Sequence, residues 1–165
     1  MVWNIWRGYK DKRGLCMSIS VSVKESGASL SQELNKRLKI NAKNGLEVGF
    51  FETSKYPNGA YVASVAFWQE FGTLRIPMRP FFRNAIQGKA NKWGAYLKNE
   101  IQGGLNTDLA LARIGEVVKG DIVKSIMATN TPQNAPSTIK AKKSSKPLVD
   151  TGFLRASVNY KLKGK

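Results

Sequence analysis

Three arginines, Arg75, Arg79 and Arg83, step by four through a stretch that also carries Phe81 and Phe82, with Trp93 beyond it. Cations set among flat rings could bind single-stranded nucleic acid, with guanidinium groups for the phosphates and rings for the bases. A more ordinary use competes with this. Phe82 and Trp93 also fall on a helical stripe, where a core takes such residues. Pro77 and Pro80 interrupt any helix that would put the arginines on one face. A second cationic group, Lys140, Lys142, Lys143 and Lys146, sits in a polar stretch near the C-terminus. Such a cluster is either a solvated surface or a contact for DNA or an acidic protein.

Other chemistry finds little material. There is no histidine, which removes the usual general base and the usual metal ligand. Cys16 is the one cysteine, so it has neither a disulfide partner nor an activating imidazole. The acids are scattered, with no close pair of the kind that a two-metal nuclease uses. Gly103-Gly104 and Gly115 do not make a phosphate-cradling motif. The expectation is a protein that is not an enzyme and holds no metal or cofactor.

The chain has 165 residues, 42% of them hydrophobic, enough for one domain with a core. No apolar run is long enough to span a bilayer, and the N-terminus lacks the pattern of a signal peptide. The net charge is +16, from 27 Lys and Arg against 11 Asp and Glu. Copies of such a chain repel one another and are attracted to polyanions. The segment from Thr138 onward holds eight basic residues and one acid, Asp150.

Periodicity supplies the elements that would position these groups. "SISVSVKE" (18–25) alternates as a half-buried strand, and "LEVGFFE" (46–52) reads as a second. Between them Leu30, Leu34 and Leu38 repeat at helical spacing. "AYVASVAFWQEF" (60–71) is apolar on most faces and reads as a buried helix ended by Gly72 at positive φ. From Pro80 onward, Phe82, Ile86, Trp93, Leu97 and Ile101 form one helical stripe. Residues 105–128 form another, with Asn106 or Thr107 as N-cap. Residues 129–148 read as a long basic loop, and "DTGFLRAS" as a helical turn capped by Asp150 or Thr151. "SVNYKLK" (157–163) reads as a last strand. The fold class is α+β: a small antiparallel sheet of about three strands with helices on one face. Residues 1–16 read as a disordered leader or an upstream extension, with Met17 as an internal start. Residues 17–165 read as a single domain.

The stretch between the second and third helices reads as a rigid elbow. Glu70, Phe71, Gly72 and Thr73 end one helix. Pro77 and Pro80 restrict the loop, and Pro80 suits the first turn of the next helix. Arg79, held extended by that proline, is expected to reach back to Glu70. Phe81 and Phe82 are expected to diverge, one inward and one towards a neighbour.

Two long motifs, "EFGTLRIPMRPFFR" (70–83) and "PLVDTGFLRAS" (147–157), make the chain resemble the neck or tail-completion proteins of long-tailed bacteriophages. The resemblance covers roughly residues 18–163. It assigns Glu70, Phe71, Gly72, Thr73, Pro77, Arg79, Pro80, Phe81, Phe82 and Arg83 to the first motif. Asp150, Thr151, Gly152, Leu154 and Arg155 belong to the second. It implies a structural virion protein at the head–tail junction, a head–tail connector or minor tail protein assembled as an oligomeric ring. It further implies synthesis in the host bacterial cytoplasm and contacts with itself, with neck and tail-terminator proteins and with passing genome DNA, but not with a membrane. The alternative reading is a basic nucleic-acid-binding protein.

Overall fold

A computed structural model describes residues 2–4, 9–11, 14–22, 45–142, 145–149 and 151–163. The helix expected around Leu30 to Leu38 lies outside the described residues. Strand β3 (Gly14–Ser22) pairs antiparallel with β1 (Val2–Asn4), β2 (Tyr9–Asp11) and β4 (Gly45–Phe50), and β4 pairs antiparallel with β5 (Val158–Lys163). Register places Ile19 opposite Val48, and Val48 opposite Tyr160. Among the described residues the sheet therefore counts five strands rather than about three. The two additions are three residues each, too short to show a period. Residues 1–16, read as a leader, contribute β1, β2 and the start of β3.

Among the described residues, five helices complete an α+β fold: α1 (Val62–Phe71), α2 (Phe81–Gln102), α3 (Thr107–Ala128), α4 (Pro136–Lys142) and α5 (Phe153–Ala156). The two long stripes become α2 and α3, of 22 residues each. They pack on one another, α3 lies against β4 and β5, and α1 lies against β3. Leu46, Val48 and Phe50 alternate inward from β4. They join Phe81, Phe82, Ile86, Trp93 and Leu97 of α2, and Leu111, Ile114, Val118, Ile122 and Ile126 of α3, in one cluster.

Local chemistry explains the element ends. Asn106 caps α3, its side chain accepting from the Asp108 N–H at 2.8 Å. Gly115 lets α3 approach β5, since a Cβ there would stand 2.8 Å from the Tyr160 ring. The basic segment 129–148 is not one continuous loop, because residues 136–142 are helical. Pro136, with φ preset and no N–H to satisfy, is well suited to open that helix. The residue before α5 is Gly152, which has no side chain to cap it; Asp150 lies outside the described residues.

Candidate functional site: an elbow and a cleft

The elbow is built from its two ends. Gly72 closes α1 at φ 74, ψ 173, and its N–H donates to Trp68 O at 2.8 Å. A side chain has no room there, because a Cβ would stand 3.0 Å from both Ile76 O and Met78 N. The next four residues form a tight turn. Thr73 N–H donates to Ile76 O at 2.8 Å, and Thr73 Oγ1 accepts from the N–H groups of Arg75 (3.2 Å) and Ile76 (3.0 Å). Arg79 N–H then returns to Gln69 O at 2.7 Å, which folds the loop back on α1.

Glu70 and Arg79, which were expected to pair, take other partners. Glu70 is only 1% exposed. Its carboxylate accepts from Phe82 N–H (2.8 Å), Arg83 N–H (3.2 Å) and Arg83 Nε (2.8 Å). It therefore caps α2 from the preceding helix, where free N–H groups and the positive end of the helix dipole favour an anion. Arg83, not Arg79, is its ion-pair partner. The reason is geometric: Arg83 lies in the first turn of α2, next to the N–H groups that Glu70 caps.

Arg79 is 3% exposed and points elsewhere. Its Nε donates to Pro132 O (2.8 Å), Nη1 to Gln69 Oε1 (2.7 Å), and Nη2 to Gln133 O (3.1 Å) and Asn134 Oδ1 (3.3 Å). All of these are neutral oxygens. Burial pushes the guanidinium pKa below its ordinary value. The planar fork serves several oxygens at once, which an ammonium could not do from one position. The residue thus pins the segment after α3, 53 residues away in sequence, onto the elbow. Nothing local marked Gln69, Pro132, Gln133 or Asn134 for this role. Main-chain oxygens carry no side-chain signature.

A cleft of about 420 Å³ lies beside this junction. Arg75, Ile76, Pro77 and Arg79 contribute one side of its lining, and Leu148, Thr151, Phe153 and Leu154 another. The two motifs seen in the sequence therefore meet. Tyr56 stacks on Phe153 with ring centroids 5.1 Å apart. Leu148 is held at φ 59, a left-handed conformation that a branched residue adopts only when its surroundings impose it. Arg155 lies against Gly152, where its Nε is 3.1 Å from the position of an added Cβ.

The base-stacking candidates are not available. Phe81, Phe82 and Trp93 are all buried, so neither phenylalanine faces a neighbour. Both inward positions follow from contacts with Phe50, edge-on for Phe81 and tilted for Phe82. Trp93 Nε1 instead donates to Asp121 Oδ2 at 2.9 Å, and Lys89 Nζ donates to Asp121 Oδ1 at 2.6 Å. Burial acts to raise the Asp121 pKa, but these two hydrogen bonds and the charges of Lys89 and Lys124 outweigh it and hold the pKa below the usual value. Sequence reasoning had not singled out Asp121. It lies on the polar edge of the α3 stripe, and only packing brings α2 to it.

Lys140 lies exposed on α4, and Lys146 is exposed beyond it. Lys142 ends the helix, and Lys143 lies outside the described residues. Neither Lys140 nor Lys146 lines the cleft. Among the described residues, no group of three or more Cys, Asp or Glu could hold a metal ion, and no helix is long and apolar enough to cross a membrane. The arrangement is a braced connector with a shallow mixed cleft at its side. Compared with known proteins, the chain matches no family model, no curated protein and no solved structure.

Proposed function

We propose that this protein is a structural component of a tailed-bacteriophage particle. It acts at the head–tail junction, in tail completion or head–tail joining, as a ring of identical subunits. The observation that carries this reading is the meeting of the two motifs at one cleft. Stretches that are far apart in sequence form one braced unit, as expected if both serve one recognition surface. The braces are structural: Arg79 and Glu70 are spent on main-chain and amide groups and on Arg83, which leaves neither free for a reaction. The strong positive charge suits a lumen around DNA or an acidic neighbour above or below the ring. Partners under this reading are other copies, the neighbouring neck and tail-terminator proteins, and the genome in passage.

Purified virions of the phage that encodes the chain, digested and analysed by mass spectrometry, provide the test. The protein should be present at a fixed small copy number. Disruption of its coding sequence should leave unjoined heads and tails, or incomplete tails, in electron micrographs. Absence from washed particles, with normal particles formed without it, would overturn the reading. The nucleic-acid-binding alternative now rests on charge alone, since its aromatic candidates are buried.

A further inference from the structure

The tip of the elbow is built contrary to the usual chemistry of turns. Apices of tight turns favour Gly, Pro, Asn, Asp and Ser. Here Leu74 occupies the apex and is 107% exposed. The turn that carries it is braced by the Thr73 hydroxyl and by the Thr73–Ile76 main-chain bond. The leucine is therefore presented on a preorganised base, which lowers the ordering cost of burying it against a partner.

Its flanks are apolar as well. Trp68, at 45%, and Met78, at 51%, are the other large apolar residues left exposed around the elbow. Phe67 stacks on Phe71 with centroids 4.7 Å apart. Arg83 lies over the Phe71 ring at 5.1 Å and touches Met78 Sδ at 3.3 Å. Aromatic residues, methionine and arginine are the types enriched at the cores of protein interfaces. The charge left exposed on this stretch has one sign. Between Thr53 and Arg83 the one acid, Glu70, is buried and paired with Arg83, and Arg79 is buried, which leaves Lys55 and Arg75 as the exposed cations. The Arg75 side chain, next to the leucine, is exposed and has no ion-pair partner among the described residues.

We infer that the Leu74 turn, with Trp68 and Met78 at its flanks, is a docking surface for an acidic amphipathic helix of a partner protein: one with an apolar stripe flanked by carboxylates. The stripe covers Leu74 and a flanking carboxylate pairs with Arg75. A second copy is the poorer fit at this turn, because the face that meets Arg75 must be acidic and the chain holds 27 Lys and Arg against 11 Asp and Glu. An anionic lipid surface is poorer too. The apolar groups are spread over a folded turn and a helix face rather than concentrated on one long helix, as an interfacial anchor requires. This inference goes beyond the virion reading and stands or fails independently of it.

The probe is a fluorescein-labelled helical peptide with a Leu/Phe stripe flanked by glutamates, and its glutamine counterpart, titrated with the full chain by fluorescence anisotropy. The glutamate peptide should bind roughly tenfold or more tightly than the glutamine one, and Leu74→Ser and Arg75→Glu should each weaken it roughly tenfold. Met78→Ser, on the flank, should weaken it less. Because Leu74 and Arg75 are exposed, both variants should keep the wild-type melting temperature, and Met78→Ser serves as a second apolar test. Unchanged affinity in both Leu74→Ser and Met78→Ser would show attraction by net charge alone and overturn the inference. So would equal binding of the two peptides or failure of both to bind. Two further results would also overturn it by naming another occupant. One is self-association in sedimentation that Leu74→Ser abolishes. The other is binding to phosphatidylglycerol vesicles that Leu74→Ser abolishes.

Discussion

Gly72, Arg79 and Glu70 show how single residues set the elbow. At φ 74, ψ 173 a β-branched side chain would be strained, and its Cβ would press on Ile76 O and Met78 N. Gly72→Val should therefore cost about 2–3 kcal/mol, read as a lower midpoint in urea unfolding. An unchanged midpoint would mean that the turn relaxes freely. Arg79→Lys keeps the charge and loses the fork. It should destabilise by about 2–3 kcal/mol, because several neutral oxygens lose their donors and a charge remains buried. Hydrogen exchange should then rise at Gln133 and Asn134, the segment that Arg79 holds. Composition alone, polar and broken by prolines, would leave that segment mobile in the free subunit. The fork on its carbonyl groups predicts protection in the wild-type chain instead.

Elements are joined by close approach and by one polar bridge. The α3–β5 contact depends on Gly115, which leaves room for the Tyr160 ring. Gly115→Ala should lower stability despite the better helix propensity of alanine. The loss should shrink in a Tyr160→Ala background, and equal losses in both would refute the steric account. Asp121 ties α2 to α3 through Lys89 and Trp93. Its pKa is depressed in the folded chain, so its contribution is complete above the unfolded value of about 4 and is lost as pH falls through the lower folded value. Asp121→Asn should cost about 1 kcal/mol at pH 7 and almost nothing at the acid end. The two stability curves should therefore converge as pH drops below 4. Parallel curves would show that the carboxylate contributes no charge-dependent stability.

The whole molecule combines a conventional core with a surplus of positive charge. Neutralising Lys140, Lys142, Lys143 and Lys146 together should leave the melting temperature nearly unchanged: Lys140 and Lys146 are exposed, and exposed charges contribute little to stability. In a phage carrying the fourfold variant, particle assembly should fall if these lysines meet DNA or an acidic neighbour, and binding by the wild type should weaken with salt. Full titre from the variant at normal expression would make the cluster a solvated surface.

The α2 and α3 stripes, the Gly72 stop, Asn106 as one of two cap candidates and the β4 and β5 strands were legible in the sequence. Each is a local matter: a period that must match a helix or a strand, or a backbone angle that one residue type tolerates best. The two motifs were legible too, but not their contact. The partners of Arg79, the capping of α2 by Glu70 and the bridge through Asp121 were decided only by tertiary structure. Each joins groups far apart in the chain, and the acceptors of Arg79 include main-chain oxygens that every residue carries. Burial of both Phe81 and Phe82 was likewise settled by packing. Adjacent residues on a helix diverge by about 100°, and only a core that wraps the first turn of α2, with Phe50 beneath it, takes both.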